Sequence, residues 1–436
     1  MNNQHIASHA TTQLPSAYRI SDELFAQIEH AARAVEAQVV AWRRDIHSHP
    51  ELSGQEVRTA GLVADHLREL GLEVRTGVGG HGVVGLLHGA RPGKVVALRA
   101  DMDALPVKEL SGLPFASQVR AINMGQETAV AHACGHDGHT AILLGVASVL
   151  TGLRAQIAGS VKFVFQPAEE GCSSPPAEGE TWGAAAMLAD GALDNPSVDA
   201  MFGLHIVPQM PVGSIGYRIG SLSASADTVK IKITGRQTHG GYPWAGVDPI
   251  VAASQVVLGL QTIVSRQVDL THEPVVISIG AFRGGYRENI IPDEVELLGT
   301  VRTFDAAMRA DVGARITRTA QAIAGACEAC AETTFSPSNY AAVINPRELT
   351  EQSLPALHLA SDGRTVEVPK QSFAEDFSLF QQKVPAMFML LGAMPNGMNP
   401  RQVAPNHSPA FVFNEDALCV GVKALSTVAI DYLEQA

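Results

Sequence analysis

Five short segments scattered along the chain carry side chains that can hold and use a catalytic metal. They are Ala133-Cys134-Gly135-His136-Asp137, Pro167-Ala168-Glu169-Glu170-Gly171, Gly203-Leu204-His205, Pro405-Asn406-His407-Ser408 and Arg99-Ala100-Asp101-Met102-Asp103. A thiolate, imidazoles and a carboxylate suit a borderline-soft divalent ion such as Zn²⁺, and they also hold Mn²⁺, Ni²⁺ or Co²⁺. Cys134 and His136 are two residues apart on a turn, so both reach one metal cluster. Glu169 and Glu170 are adjacent, and neighbouring side chains at a strand end point in different directions, so one can ligate while the other works as a base. Cys134, His136, Glu170, His205 and His407 outnumber the protein ligands of a single catalytic ion that keeps a position open for water. Two metal ions sharing a water, about 3.5–4 Å apart, are therefore expected.

Taken singly, these residues have ordinary explanations. Any one of the sixteen histidines is more often a surface or satisfied core residue than a ligand, and cysteine is often a small buried hydrophobe. Asp101 and Asp103 could be no more than a polar loop after the strand Val95–Ala100. It is the set that argues for chemistry, because each segment lies at or just after an apolar β-like run, where ligands from several strands can converge.

The elements that must position them follow from periodicity. Residues 22–71 read as helices, with Ser21 as cap and Leu62, Val63, Leu67 and Leu70 at helical spacing. Strands are expected at Val83–Leu87, Val95–Ala100, Ser160–Gln166 and Ala200–His205, with helices at Gly138–Leu153 and near Ala184–Leu188. Strands apolar throughout, alternating with helices, imply an α/β architecture with a mainly parallel sheet. Ligands at the carboxyl ends of such strands are where open α/β sheets place their sites.

From about Ser221 the pattern changes to strand Asp227–Gly235, helix Pro249–Val268, strands Pro274–Ala281 and Glu294–Thr303, helix Ala306–Glu328 and strand Ala331–Ser336. That β-α-β-β-α-β order is the ferredoxin-like motif. The chain then returns to the first domain through Gln371–Phe380, the strand Ala386–Leu391 and a final helix Asp416–Glu434. The expected organisation is a flexible extension over 1–20, a discontinuous catalytic domain over 21–220 and 337–436, and an inserted lid or dimerisation domain over 221–336.

The motifs, running from Trp42-Arg43-Arg44-Asp45-Ile46-His47-Ser48-His49-Pro50-Glu51-Leu52 to Asn406-His407-Ser408-Pro409, give the chain a specific resemblance over nearly its whole length. It resembles the amidohydrolase branch of the dinuclear metallopeptidases, which includes hippurate hydrolase, the indoleacetyl-amino acid hydrolases and N-acyl-amino acid deacylases. Aminoacylase and the glutamate carboxypeptidases are more distant. The resemblance implies that Cys134 bridges two ions, that His136, Glu170, His205 and His407 are terminal ligands, and that Glu169 is the general base and acid. Relatives outside this branch carry a metal-binding His two residues before the Asp that is here Asp101. This chain has Arg99 there, which gives His136 that ligand role and leaves Asp101 to orient or tune a ligand.

The resemblance further implies that His239, in Thr238-His239-Gly240-Gly241-Tyr242-Pro243-Trp244, and Asn289, in Arg287-Glu288-Asn289-Ile290-Ile291-Pro292, bind substrate and stabilise the oxyanion. His239 would often reach the neighbouring subunit's site, so a homodimer is expected. Arg302 could bind a substrate carboxylate in a bidentate contact or pair with an acidic neighbour. Trp244 stands where many relatives have His, lining an acyl pocket or packing the hinge. The reaction implied is hydrolysis of an N-acyl-L-amino acid, hippurate-like or an indoleacetyl conjugate, to a carboxylic acid and an amino acid. Exopeptidase or dipeptidase action is the near alternative and a noncatalytic metal-binding protein the far one, against which the spare Glu169 argues.

Composition sets the outer bounds. A chain of 436 residues is long for one core, and a formal net charge of −13 argues against nucleic acid or an anionic membrane as partner. No apolar run approaches the ~20 residues that span a bilayer, and Met1 to Ser21 shows no basic segment followed by an apolar one. An odd set of five cysteines suits a reducing, cytoplasmic setting better than a disulfide framework. Cys327 and Cys330 form a lone C-x-x-C, read as the buried side of a helix end.

Overall fold

The computed structural model describes residues 18–174, 179–336 and 340–434. Its larger sheet has eight strands in the spatial order Glu73–Val78, Gly82–His88, Ala158–Gln166, Arg91–Asp101, Ala200–Val207, Ala386–Gly392, Ile215–Tyr217 and Thr365–Glu367. The four strands from Ala158–Gln166 to Ala386–Gly392 run parallel, and antiparallel pairs flank them. The fold class expected from the sequence is the one observed.

Both faces of this sheet are covered, which is why its central strands are apolar throughout. In Arg91–Asp101, Val96, Leu98 and Ala100 join a core with the helices Asp22–Ser48, His136–Gly152 and Asp416–Leu433, while Val95 and Ala97 join a core with the helices Gly183–Ala189 and Phe377–Gln381. The alternation puts Arg99 on the second face, fully buried. Ser21 does cap the first helix, accepting from Leu24 N at 3.1 Å. In the second helix, Val57–Glu69, Val63 and Leu67 form the buried stripe.

A second, four-stranded sheet is antiparallel, in the order Val276–Gly284, Glu294–Arg302, Asp227–Thr234, Cys330–Phe335. With the helices Pro249–Thr262 and Ala306–Ala326 it encloses its own apolar cluster, including Ile231, Val256, Leu297 and Ile316. From it projects a short pairing of Thr238–His239 with Ile290–Ile291.

The structure corrects the sequence reading in several places. Helix Arg347–Ala360 was not foreseen, since Pro355 inside it reads as a breaker. The strands Glu73–Val78, Ile215–Tyr217 and Thr365–Glu367 also escaped, being short or half-exposed. Of the extension expected over 1–20, residues 1–17 lie outside the described residues, but residues 18–20 are tied down: Ile20 is buried and the Arg19 guanidinium pairs with Asp431 at 3.1 Å. The expected domain boundary at 337 lies outside the described residues. Cys327 and Cys330 are not a buried pair, because the helix stops at Ala326 and Cys330 opens a strand with its side chain exposed.

Candidate metal centre

The parallel strands deliver their ends to one place. Cys134 and Gly135 form the turn into helix His136–Gly152, and Gly135 takes φ +102° there, a left-handed value that suits glycine. Strand Ala158–Gln166 runs into the turn bearing Glu169 and Glu170. His205 lies inside its strand, two residues short of the end at Val207. His407 arrives on a loop at φ +70°, held by its N–H to Ala133 O at 2.7 Å. The adjoining Asn406 side chain donates to Cys134 O at 2.8 Å. A non-glycine residue held in the left-handed region marks a position that its surroundings over-determine.

Donor atoms converge on Cys134. Its Sγ is 3.4 Å from His205 Nε2 and 3.2 Å from His407 Nε2, and His407 Nε2 is 3.0 Å from Glu170 Oε1. Cys134, His136 and His205 form one set with donors mutually within 4.8 Å, and Cys134, Glu170 and His407 form another. The two sets share only the thiol. His136 Nδ1 faces Asp103 Oδ1 and the Asp103 carbonyl, both at 3.0 Å, which leaves Nε2 buried without a hydrogen-bond partner. His205 Nδ1 faces the Ile206 carbonyl at 2.9 Å, so its Nε2 also looks toward the thiol. These donors fit a pair of metal ions, since an orphaned buried imidazole nitrogen is otherwise costly.

Asp101 lies beside the donors. Its Oδ1 is 2.6 Å from His139 Nδ1, its Oδ2 is 2.7 Å from Arg99 Nη1, and His136 Nε2 stands 3.7 Å away. His139 Nε2 accepts from Ile206 N at 2.8 Å, so both nitrogens of that ring are engaged. Sequence reasoning missed His139, although it sits one turn after His136 on the same helix, a spacing that brings side chains together. It also missed the partners of Arg99, which reaches Glu375 at 2.8 Å and Asp376 at 3.2 Å. No local spacing signals a contact across 276 residues.

The electrostatics divide the groups. Burial, with Glu375, Glu170 and Asp376 nearby, holds the Glu169 carboxyl well above its usual range. Burial opposes ionisation of Asp101 too, but His136 and Arg99 outweigh it and hold Asp101 well below. Hydrogen bonds to Cys134 and Glu170 push His407 up to about 10, whereas burial and the neighbouring His139 hold His205 well below the ordinary imidazole value. The cluster thus brings a thiol, imidazoles and carboxyl groups together in a largely buried place, a donor set that divalent cations use.

Of the remaining residues singled out from the sequence, Arg302 ends a strand of the second sheet, while His239, Asn289 and Trp244 lie in or beside the short pairing that projects from it. The segments of His239 and Asn289 are neighbours: Gly240 N–H donates to Asn289 O at 2.8 Å, beside the short pairing that sets His239 opposite Ile290. The His239 ring is exposed, accepts from Gly241 N at 2.9 Å and faces Tyr242. Arg302 is half-buried, with Nη1 lacking a hydrogen-bond partner. Trp244 is 77 % exposed, so it does not pack a hinge within the chain. Among the described residues none of these four makes a hydrogen bond or ion pair to the Cys134 cluster.

Comparison with known proteins gives the family. Residues 97–431 match the model of peptidase family M20/M25/M40. The chain is 38 % identical to thermostable carboxypeptidase 2 of Saccharolobus solfataricus, covering 94 % of this chain and 99 % of that protein. It is equally 38 % identical to N-acetylcysteine deacetylase of Bacillus subtilis, covering 93 % and 99 %. Among solved structures, a dinuclear metal-binding peptidase of the M20 family from Bacillus subtilis superposes with a TM-score of 0.76 at 36 % identity, over 93 % of this chain and all of that one. The chain belongs to peptidase family M20/M25/M40 and is a metal-dependent hydrolase of amide bonds.

Proposed function

We propose that the protein is an N-acyl-L-amino acid amidohydrolase with two divalent ions per chain, Zn²⁺ or Mn²⁺, acting on hippurate-like or indoleacetyl-amino acid conjugates. Cys134 is the shared ligand, and His136, His205, Glu170 and His407 are the others. The observation that carries this reading is that Cys134 belongs to two donor sets, one with His136 and His205 and one with Glu170 and His407, whose far members also approach each other at His136 Nε2 and Glu170 Oε1, 4.0 Å apart. When bound, the ions lower the pKa of water and polarise a carbonyl. Glu169 takes the water proton and hands it to the leaving amine nitrogen, a two-way role suited to a carboxyl raised by burial. Asp101 holds the His139 ring and neighbours His136, orienting the donors.

His239 and Asn289 are the proposed substrate and oxyanion contacts, with Arg302 for the substrate carboxylate. They sit on a lid and dimerisation domain spanning 221–336, inserted between the two parts of the catalytic domain. A homodimer through this insert is supported by its surface. Strand Val276–Gly284 is an open sheet edge with Phe282 exposed, and helix Pro249–Thr262 presents Val251 and Leu258, the latter 71 % exposed. No described helix is long and apolar enough to cross a membrane, and five free cysteines fit a reducing, cytoplasmic setting.

Hydrolysis of N-acetyl, N-benzoyl and indoleacetyl amino acids, set against unblocked dipeptides, tests the substrate class. Preference for the dipeptides would replace this reading with an exopeptidase.

A further inference from the structure

The turn that bears Glu169 and Glu170 is held at three backbone points. Ala168 N–H donates to Glu56 Oε1 at 2.8 Å, Glu170 N–H donates to Asp103 Oδ2 at 2.9 Å, and the Glu169 carbonyl accepts from the Tyr340 hydroxyl at 2.9 Å. Such support is needed because Ala168 has φ +52°, and a non-glycine residue stays there only when its surroundings impose it.

Glu56 is the unexpected member. It is fully buried and stands at the N-cap of helix Val57–Glu69, yet its side chain does not cap that helix. Glu51 does so instead, accepting from Arg58 N and Thr59 N at 2.8 Å each. Glu56 turns the other way, and its Oε1 accepts from Gly54 N at 2.8 Å as well as from Ala168 N. Its Oε2 has no hydrogen-bond partner. A buried carboxyl with a free oxygen is an expensive way to join two loops, so a role beyond local packing is indicated.

We propose that Glu56 is a positioning residue for the Glu169–Glu170 pair, acting through the Ala168 amide to set the direction in which base and ligand leave the turn. The proposal rests on the roles assigned above to Glu169 and Glu170. Burial and the neighbouring Asp103 push the Glu56 carboxyl up to about 8, which favours its neutral form, and glutamine is the close isostere of that form.

The test uses the full-length protein loaded with Co²⁺, whose visible absorption reports ligand geometry without turnover, alongside steady-state kinetics. Glu56→Gln keeps an acceptor for Ala168 and should retain the parent spectrum and kcat. Glu56→Leu should still bind two ions but shift the spectrum and lose about 10–100-fold in kcat with little change in KM, the size typical of losing support behind a ligand. If Glu56→Leu does not fold, Glu56→Asp, which withdraws the carboxyl from Ala168, takes its place with the same expectation. A parent-like spectrum and kcat in that variant, or equal damage in Glu56→Gln, would overturn the proposal. Should the parent enzyme hydrolyse none of the acyl-amino acids, the functional reading fails while the spectra still decide the role of Glu56.

Discussion

His407 holds its Nε2 3.2 Å from Cys134 Sγ across 273 residues of sequence. The loop of His407 is also tied through the backbone to the residue before Cys134, His407 N–H donating to Ala133 O at 2.7 Å. The loop that closes the metal centre is thus latched to the turn that founds it.

Glu169→Gln is expected to keep both ions and lose about 10²–10⁴-fold in kcat, because proton transfer goes while ligation stays. Metal analysis beside kinetics checks it. Loss of metal with little change in activity per bound ion would mean that Glu169 and Glu170 have exchanged roles.

Arg99 is the cation that faces Asp101, Glu375 and Asp376 in a fully buried cluster. Arg99→Met should therefore destabilise the fold by about 3–5 kcal/mol, the cost of leaving buried charge uncompensated. Arg99→Lys should recover only part of this, since an ammonium cannot reproduce the planar fork. Denaturant unfolding of the metal-free protein measures both, and a loss under about 1 kcal/mol in Arg99→Met would show that the carboxyl groups discharge instead.

His47 sits between Asp137 and Glu109, at 2.8 and 3.0 Å. Burial works to lower its pKa, but the hydrogen bonds to both carboxylates outweigh it and leave it above the ordinary 6.5. A pKa raised on folding gives stability that is fully present below the unfolded value and lost as pH rises through the folded one. The melting temperature should fall as pH rises above about 6.5, and His47→Gln should flatten that fall. An unchanged slope in the variant would assign the pH dependence elsewhere.

The segments that carry the proposed ligands were legible in the sequence because metal chemistry uses few residue types and because the parallel strands before Glu169 and around His205 are apolar runs. Cys134-Gly135-His136 and Glu169-Glu170 are local and so visible. Arg99 with Glu375 and Asp376, and Glu56 with Ala168, are buried polar contacts between distant segments. They obey no period, and their residues read as ordinary surface charge until the fold brings them together. The helix Arg347–Ala360 was hidden by Pro355, while its buried Leu349, Leu354 and Leu357 show the tertiary packing that overrides the breaker.

The lid assignment has its own test. His239→Ala should retain metal and fold but turn over more slowly, and mixing it with Glu169→Gln under subunit exchange should restore part of the activity. A hybrid dimer would set an intact His239 over an intact Glu169 from the other chain. No recovery while both variants remain dimeric would confine His239 to its own chain.

The most direct test of the two-metal reading is a titration of the metal-free enzyme with Mn²⁺ or Zn²⁺, following bound ion by calorimetry and hydrolysis of an N-acyl-amino acid in parallel. The parent protein should bind two ions per chain and gain activity as they bind, and Cys134→Ala, which deletes the proposed shared ligand, should weaken both sites together. Full activity without metal, or a Cys134→Ala variant that still binds two ions with parent affinity, would contradict it.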